Sequence, residues 1–166
     1  MSGGEWERGQ SRELCAGVRA IDHTADVGIE VRATTVEELF DRAARGAFAL
    51  VAGEDDVERS SSEYQPVDER LGTERARERR EIALESDDVA GLLALWLREL
   101  LFIHEVGGLA YQGARFEALE ERRLRATVDV GRDSRTPVRE IKGVTYHGLE
   151  AIRDAHGWRA RVIFDV

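Results

Sequence analysis

Between Val89 and Ile103 the residues Val89, Leu92, Leu93, Trp96, Leu100 and Ile103 recur at helical spacing and give one helix a strong apolar face. That face must be covered, and this constrains the fold more than any other feature. Ser86 can cap the helix, Asp87 and Asp88 suit its positive end, and Gly107-Gly108 stops it. A second stripe, Val36, Leu39, Phe40, Ala43, Ala47 and Leu50, follows the same period. Thr35 and Glu38 form a capping box at its start, and Gly53 closes it. No stretch approaches the roughly 18 apolar residues of a membrane span.

The cover for both helices reads as β structure. Residues 18–21 suit a first strand, followed by the polar turn Asp22–Asp26, and then Val27, Ile29 and Val31 alternate with Gly28, Glu30 and Arg32. Arg80–Glu85 alternates through Ile82 and Leu84, Ala114–Glu120 and Leu124–Val130 flank a short charged turn, and Val144–Ile152 and Trp158–Phe164 flank a turn with His156-Gly157. In the last of these, Trp158, Ala160, Val162 and Phe164 share one face and Arg159 and Arg161 the other. Two amphipathic helices and several one-sided strands predict an α+β fold, a two-layer sandwich.

At 166 residues the chain fits one domain plus tails. Residues 1–17 read as a disordered tail, and 18–166 as a single domain with a charged, flexible insertion at about 54–80. The first residues lack the apolar core of a secretory signal. The lone Cys15 excludes a disulfide framework, so a reducing, cytoplasmic compartment is the expectation.

The net charge is −9, from 33 acidic and 24 basic residues. Such a field disfavours non-specific nucleic-acid binding, so any RNA role is expected to run mainly through a partner protein or a local patch. Arg159 and Arg161, with Arg132, Arg135, Arg139 and Lys142, are candidates for that patch, against the commoner reading of a solvated mixed-charge face. No glycine-rich phosphate loop is present, and the four histidines, 23, 104, 147 and 156, lack zinc spacing. Cys15 has no histidine arranged beside it in sequence, so no nucleophile stands out.

Two acidic elements remain, the turn Asp22-His23-Thr24-Ala25-Asp26 and the end Phe164-Asp165-Val166, where a terminal Val166 would add a main-chain carboxylate. Two carboxylates about 4 Å apart repel by roughly 4 kcal/mol at an effective dielectric near 20. A protein relieves that by protonation or by a cation, and all-oxygen ligands favour a hard ion, Ca²⁺ or Mg²⁺. Spacing does not bring the two elements together; Asp22 and Asp26 serve equally as turn formers and Asp165 as a solvated terminal residue.

DHTADVGIEVRATTVEELFDRAARGAF, SDDVAGLLALWLRELLFIHEV and the tail IKGVTYHGLE…WRARVIFDV together resemble the archease family, in order and over most of residues 20–53 and 81–166. The pairing of an HTAD turn with a terminal Phe-Asp-Val carries the specificity. The resemblance implies a mixed β-sheet packed against two main helices. It implies a divalent metal, usually calcium, held by Asp26, Asp165 and the main-chain oxygens of Val166, with Asp22 as a neighbour. It also implies a non-enzymatic partner of an RtcB-type RNA ligase in tRNA splicing or RNA repair, promoting guanylylation and multiple turnover. Members usually end in Asp-Ile; Val166 loses a methylene and keeps the carboxylate. The alternatives are a chaperone-like modulator of another RNA enzyme, such as a tRNA cytosine methyltransferase, and a metal-dependent hydrolase.

Overall fold

A computed structural model of the chain describes residues 12–23, 26–53, 77–133 and 136–166, with the side chains of Asp22 and His23 outside the description. Among the described residues two helices, α1 (Val36–Ala52) and α2 (Val89–Gly107), are interspersed with eight strands. These are β1 (Arg12–Cys15), β2 (Val18–His23), β3 (Asp26–Ala33), β4 (Arg77–Glu85), β5 (Leu109–Leu119), β6 (Arg123–Arg132), β7 (Gly143–Asp154) and β8 (Gly157–Asp165).

The helix ends follow elementary donor accounting. Thr35 accepts from the Glu38 amide at 3.2 Å, and the Glu38 carboxylate reaches back to the Thr34 amide at 2.6 Å. On α2 the cap is Asp88, accepting from the Gly91 amide at 2.7 Å, rather than the expected Ser86. An N-cap side chain must reach an amide two or three positions on, and with Val89 as the first helical residue only Asp88 stands at that distance. Gly107 belongs to α2, and Gly108 closes it at φ 62°, donating to the His104 carbonyl at 2.8 Å.

The strands form two sheets, one ordered β1-β2-β3-β8-β7 and the other β4-β6-β5. The α+β class is as expected and the sheet arrangement is different. Every pairing among the described residues is antiparallel, in two sheets rather than one mixed sheet. Short turns join β5 to β6 and β7 to β8, and a short turn returns the chain antiparallel. The β7–β8 turn is fixed by the His156 amide donating to the Asp154 carboxylate at 2.8 Å. It lies so close to α1's entry that a Cβ on Gly157 would stand 2.4 Å from the Ala33 carbonyl.

The structure also shortens two segments expected to be disordered. Residues 12–15 pair with β2, and 77–80 belong to β4, whose alternating charged residues hide its strand character from a hydrophobicity reading. The remainder of both segments, 1–11 and 54–76, lies outside the described residues.

Both helices pack against both sheets, α1 against β3, β2 and β5, and α2 against β7, β5 and β4. One core cluster therefore joins them, with Ile29, Leu39, Phe40, Leu92, Trp96, Leu124 and Phe164 fully buried. The Trp96 indole N–H donates to the Phe40 carbonyl at 3.2 Å, which satisfies the one polar atom of the largest buried side chain. Among the described residues no helix is long and apolar enough to cross a membrane.

Candidate metal centre at the acidic corner

On β3 the side chains of Val27, Ile29, Val31 and Ala33 are buried; on β8 the same holds for Ala160, Val162 and Phe164. Alternation then sends Asp26, Glu30 and Arg32 of β3, and Arg159, Arg161 and Asp165 of β8, to the sheet's other face. The β3–β8 register runs from Ala33↔Trp158 to Val27↔Phe164. Its next step sets Asp26, the first residue of β3, opposite Asp165, the last of β8. Directly opposite residues carry Cβ atoms about 4.5–5.5 Å apart. The fold thus brings to one sheet corner two carboxylates that lie 139 positions apart in sequence (165 − 26).

Val166 follows at once, half-buried against the core. Asp165 is also paired on its other side, with Gly143 of β7. A regular ladder from the Asp154–Gly157 turn would have placed Tyr146 there. A register shift between Thr145 and Glu150 sets Gly143 there instead, and Gly148 within it adopts φ 66°. Apart from its two chain neighbours, a Cβ on Gly143 would meet nothing within 4 Å among the described residues.

Lys142, one of the candidates for a basic patch, lies in the loop just before β7 and stands at this corner. Its amide donates to the Asp165 carbonyl at 2.8 Å, and its ammonium lies 3.5 Å from the Val166 oxygen. Only the β7 register reveals this, and no local signal announces that irregularity beyond Gly148. The other basic residues scatter: Arg132 ends β6 in the second sheet, the Arg139 amide bonds the Val51 carbonyl at the end of α1, and Arg135 lies outside the described residues. Arg161 stands in register between Glu30 and Glu150, and Arg159 lies 4.0 Å from Asp154. Among the described residues these basic side chains therefore do not gather into one patch, and the commoner reading, a mixed-charge face, holds.

Asp22 pairs through its backbone with Val27, one step from Asp26. Among the described residues no three His, Cys, Asp or Glu side chains converge. The corner offers two aspartate side chains with the main-chain oxygens of Asp165 and Val166. These donors are all oxygen, the set that suits a hard divalent cation rather than zinc or copper.

The histidines are dispersed. His104 Nδ1 lies 3.1 Å from the Leu109 carbonyl, His147 is in the irregular part of β7, and His156 is in the β7–β8 turn. Cys15 sits in β1, half-buried, where burial pushes its thiol pKa up against the pull of Arg45 and Arg42. A thiol held protonated is a poor nucleophile.

Residues 19–166 match the archease protein family. The archease of Methanosarcina mazei is 31% identical over 153 residues, spanning 88% of this chain and 93% of the relative. That of Methanopyrus kandleri is 30% identical over 152 residues, spanning 88% and 96%. Among solved structures, protein 1598 of Methanobacterium thermoautotrophicum superposes with a TM-score of 0.63 at 26% identity, covering 90% of this chain and 99% of that one. An archease of Thermotoga maritima, described as a possible chaperone, has the same fold, with a TM-score of 0.51 at 21% identity over 88% and 94%.

Proposed function

The chain belongs to the archease family, and from that premise we propose that it is a non-enzymatic, cytoplasmic activator of an RtcB-type RNA ligase, working through a metal held at its acidic corner. The observation that supports the reading is the β3–β8 register, whose last pair, Val27↔Phe164, directly adjoins Asp26 on one strand and Asp165 on the other. Asp26, Asp165 and Val166 would hold a divalent ion, calcium before magnesium, through oxygen donors alone. The ion supplies positive charge that offsets the repulsion of the gathered carboxylates.

The protein's own residues do the positioning. Phe164 and Val27 are buried directly behind the two aspartates, so strand packing fixes where the carboxylates stand. Lys142 braces the last two residues through its amide and ammonium. The corner would be presented at the mouth of the ligase active site and would promote guanylylation there, with RNA contacted mainly through the ligase. The chain's acidic balance and its lack of a phosphate loop agree with an accessory role.

The test is multiple-turnover RNA ligation with and without the protein. Stimulation that is lost in Asp165→Ala and Asp26→Ala, both still folded, supports the reading. A competent ligase that ignores the folded wild-type protein would return the function to the second reading, a chaperone-like modulator of another RNA enzyme. That reading draws on the description of the Thermotoga protein as a possible chaperone.

A further inference from the structure

At the end of the molecule where both helices begin, the core is left partly uncovered. Val36 opens α1, Val89 opens α2, Leu119 ends β5, and Ala151 and Trp158 lie near the β7–β8 turn; all five are half-buried against the core. They line a groove of about 530 Å³ between the margins of the two sheets, with Ile152 38% exposed along it. The sheet order explains the gap: β5 and β7 are both edge strands, and no strand bridges them among the described residues.

The rim is acidic. Asp88, Glu120 and Glu121 border the groove, against one cation, Arg153, among the described residues. The neighbouring charges cancel, with Arg122 pairing with Asp87 at 3.3 Å and Arg123 with Glu85 at 3.6 Å. Neither Glu120 nor Glu121 has an ion-pair partner among the described residues. Two helix N-termini facing one groove would ordinarily favour an anion. Here Thr35, Glu38 and Asp88 already occupy amide donors at both ends, so the carboxylates set the sign.

We infer that this groove docks a basic segment of a partner protein, anchored by an aliphatic or aromatic side chain on the Trp158–Leu119 floor and flanked by Lys or Arg facing Glu120 and Glu121. An apolar floor with a rim of one sign selects such a segment by complementarity. Nucleic acid is excluded by the same charges, and a second copy of this chain would bring a like-charged rim to the groove. The inference goes beyond the ligase reading and does not involve the acidic corner.

The test is an amide NMR titration of the full chain with a short capped peptide of alternating Lys and Leu. Expected shifts gather at residues 88–90, 119–121, 151–153 and 158, and affinity falls roughly tenfold in Glu120→Lys/Glu121→Lys. Both substituted residues are exposed turn positions, so the fold is preserved. A Glu/Leu peptide should fail on the wild type and bind the reversed variant. The inference is overturned by absent shifts, by shifts spread over the whole acidic surface, or by equal affinity for both peptides. It is equally overturned if oligouridylate moves the same amides, or if they move on dilution of the protein alone. Ligase stimulation is a separate readout, so the two proposals fail independently.

Discussion

Gly46 offers a close test of how the first helix is seated. It is buried in α1 where a Cβ would stand 2.6 Å from Val18 Cγ1 and 3.4 Å from Ile29 Cδ1. Val18 and Ile29 are themselves fully buried, so neither side chain has open solvent to move into. Replacing an interior helical glycine by alanine ordinarily gains about 1 kcal/mol in helix propensity. Overpacking a filled core costs about 1–3 kcal/mol. The second effect should win, leaving Gly46→Ala less stable by about 1 kcal/mol. Val18→Ala removes the opposing methyl groups, and in that background the same substitution should become stabilising by up to about 1 kcal/mol. The assay is urea denaturation of the wild type, the two single variants and the double variant, read as a double-mutant cycle. A stabilised Gly46→Ala in the wild-type background, or a coupling near zero, would refute the close approach of α1 to β2.

Three further outcomes are expected. Asp88→Ala should cost about 1 kcal/mol through loss of the α2 cap, whereas Ser86→Ala should not remove a cap, which thermal melts can compare. Glu117 accepts the Thr127 hydroxyl at 2.8 Å, which with Arg115 holds its carboxyl below the usual range. A carboxyl depressed in the folded state stabilises above the unfolded pKa and loses that contribution as pH falls through the folded one. NMR titration should show Glu117 moving to higher pH in Thr127→Val. Burial raises the Cys15 thiol, so iodoacetamide should alkylate it more slowly than a free thiol at mildly alkaline pH, and unfolding should abolish the difference.

Much of this architecture was legible because local and global preferences agree. Thr35 and Glu38 announce α1, the Leu92–Ile103 stripe announces α2, and the alternation of Trp158, Ala160, Val162 and Phe164 fixes the inner face of β8. The start of β4 before Arg80 is not legible because Arg77–Arg79 carry no apolar alternation; their strand state comes from pairing with β6. β1 is hidden for the same reason, since a four-residue edge strand with Leu14 as its one buried residue gives no periodic signal. The acidic corner depends on a non-local register, which no spacing in the sequence encodes. Only the family resemblance placed Asp26 with Asp165. Which residue meets Asp165 is decided by a three-residue shift inside β7, which no spacing in the sequence announces, and that shift brings the loop residue Lys142 to the end of the chain.

The most direct test of the activator reading is guanylylation of an RtcB-type ligase from labelled GTP, followed with wild-type protein, Asp26→Asn and Asp165→Asn. Each substitution removes a charge and keeps the side-chain shape, so packing of Val27 and Phe164 behind the corner is retained. Faster accumulation of guanylylated ligase with wild-type protein, lost in both variants and on chelation of calcium, is the predicted result. Equal acceleration by all three proteins would contradict a role for the acidic corner, and no acceleration by the wild type would contradict ligase activation itself.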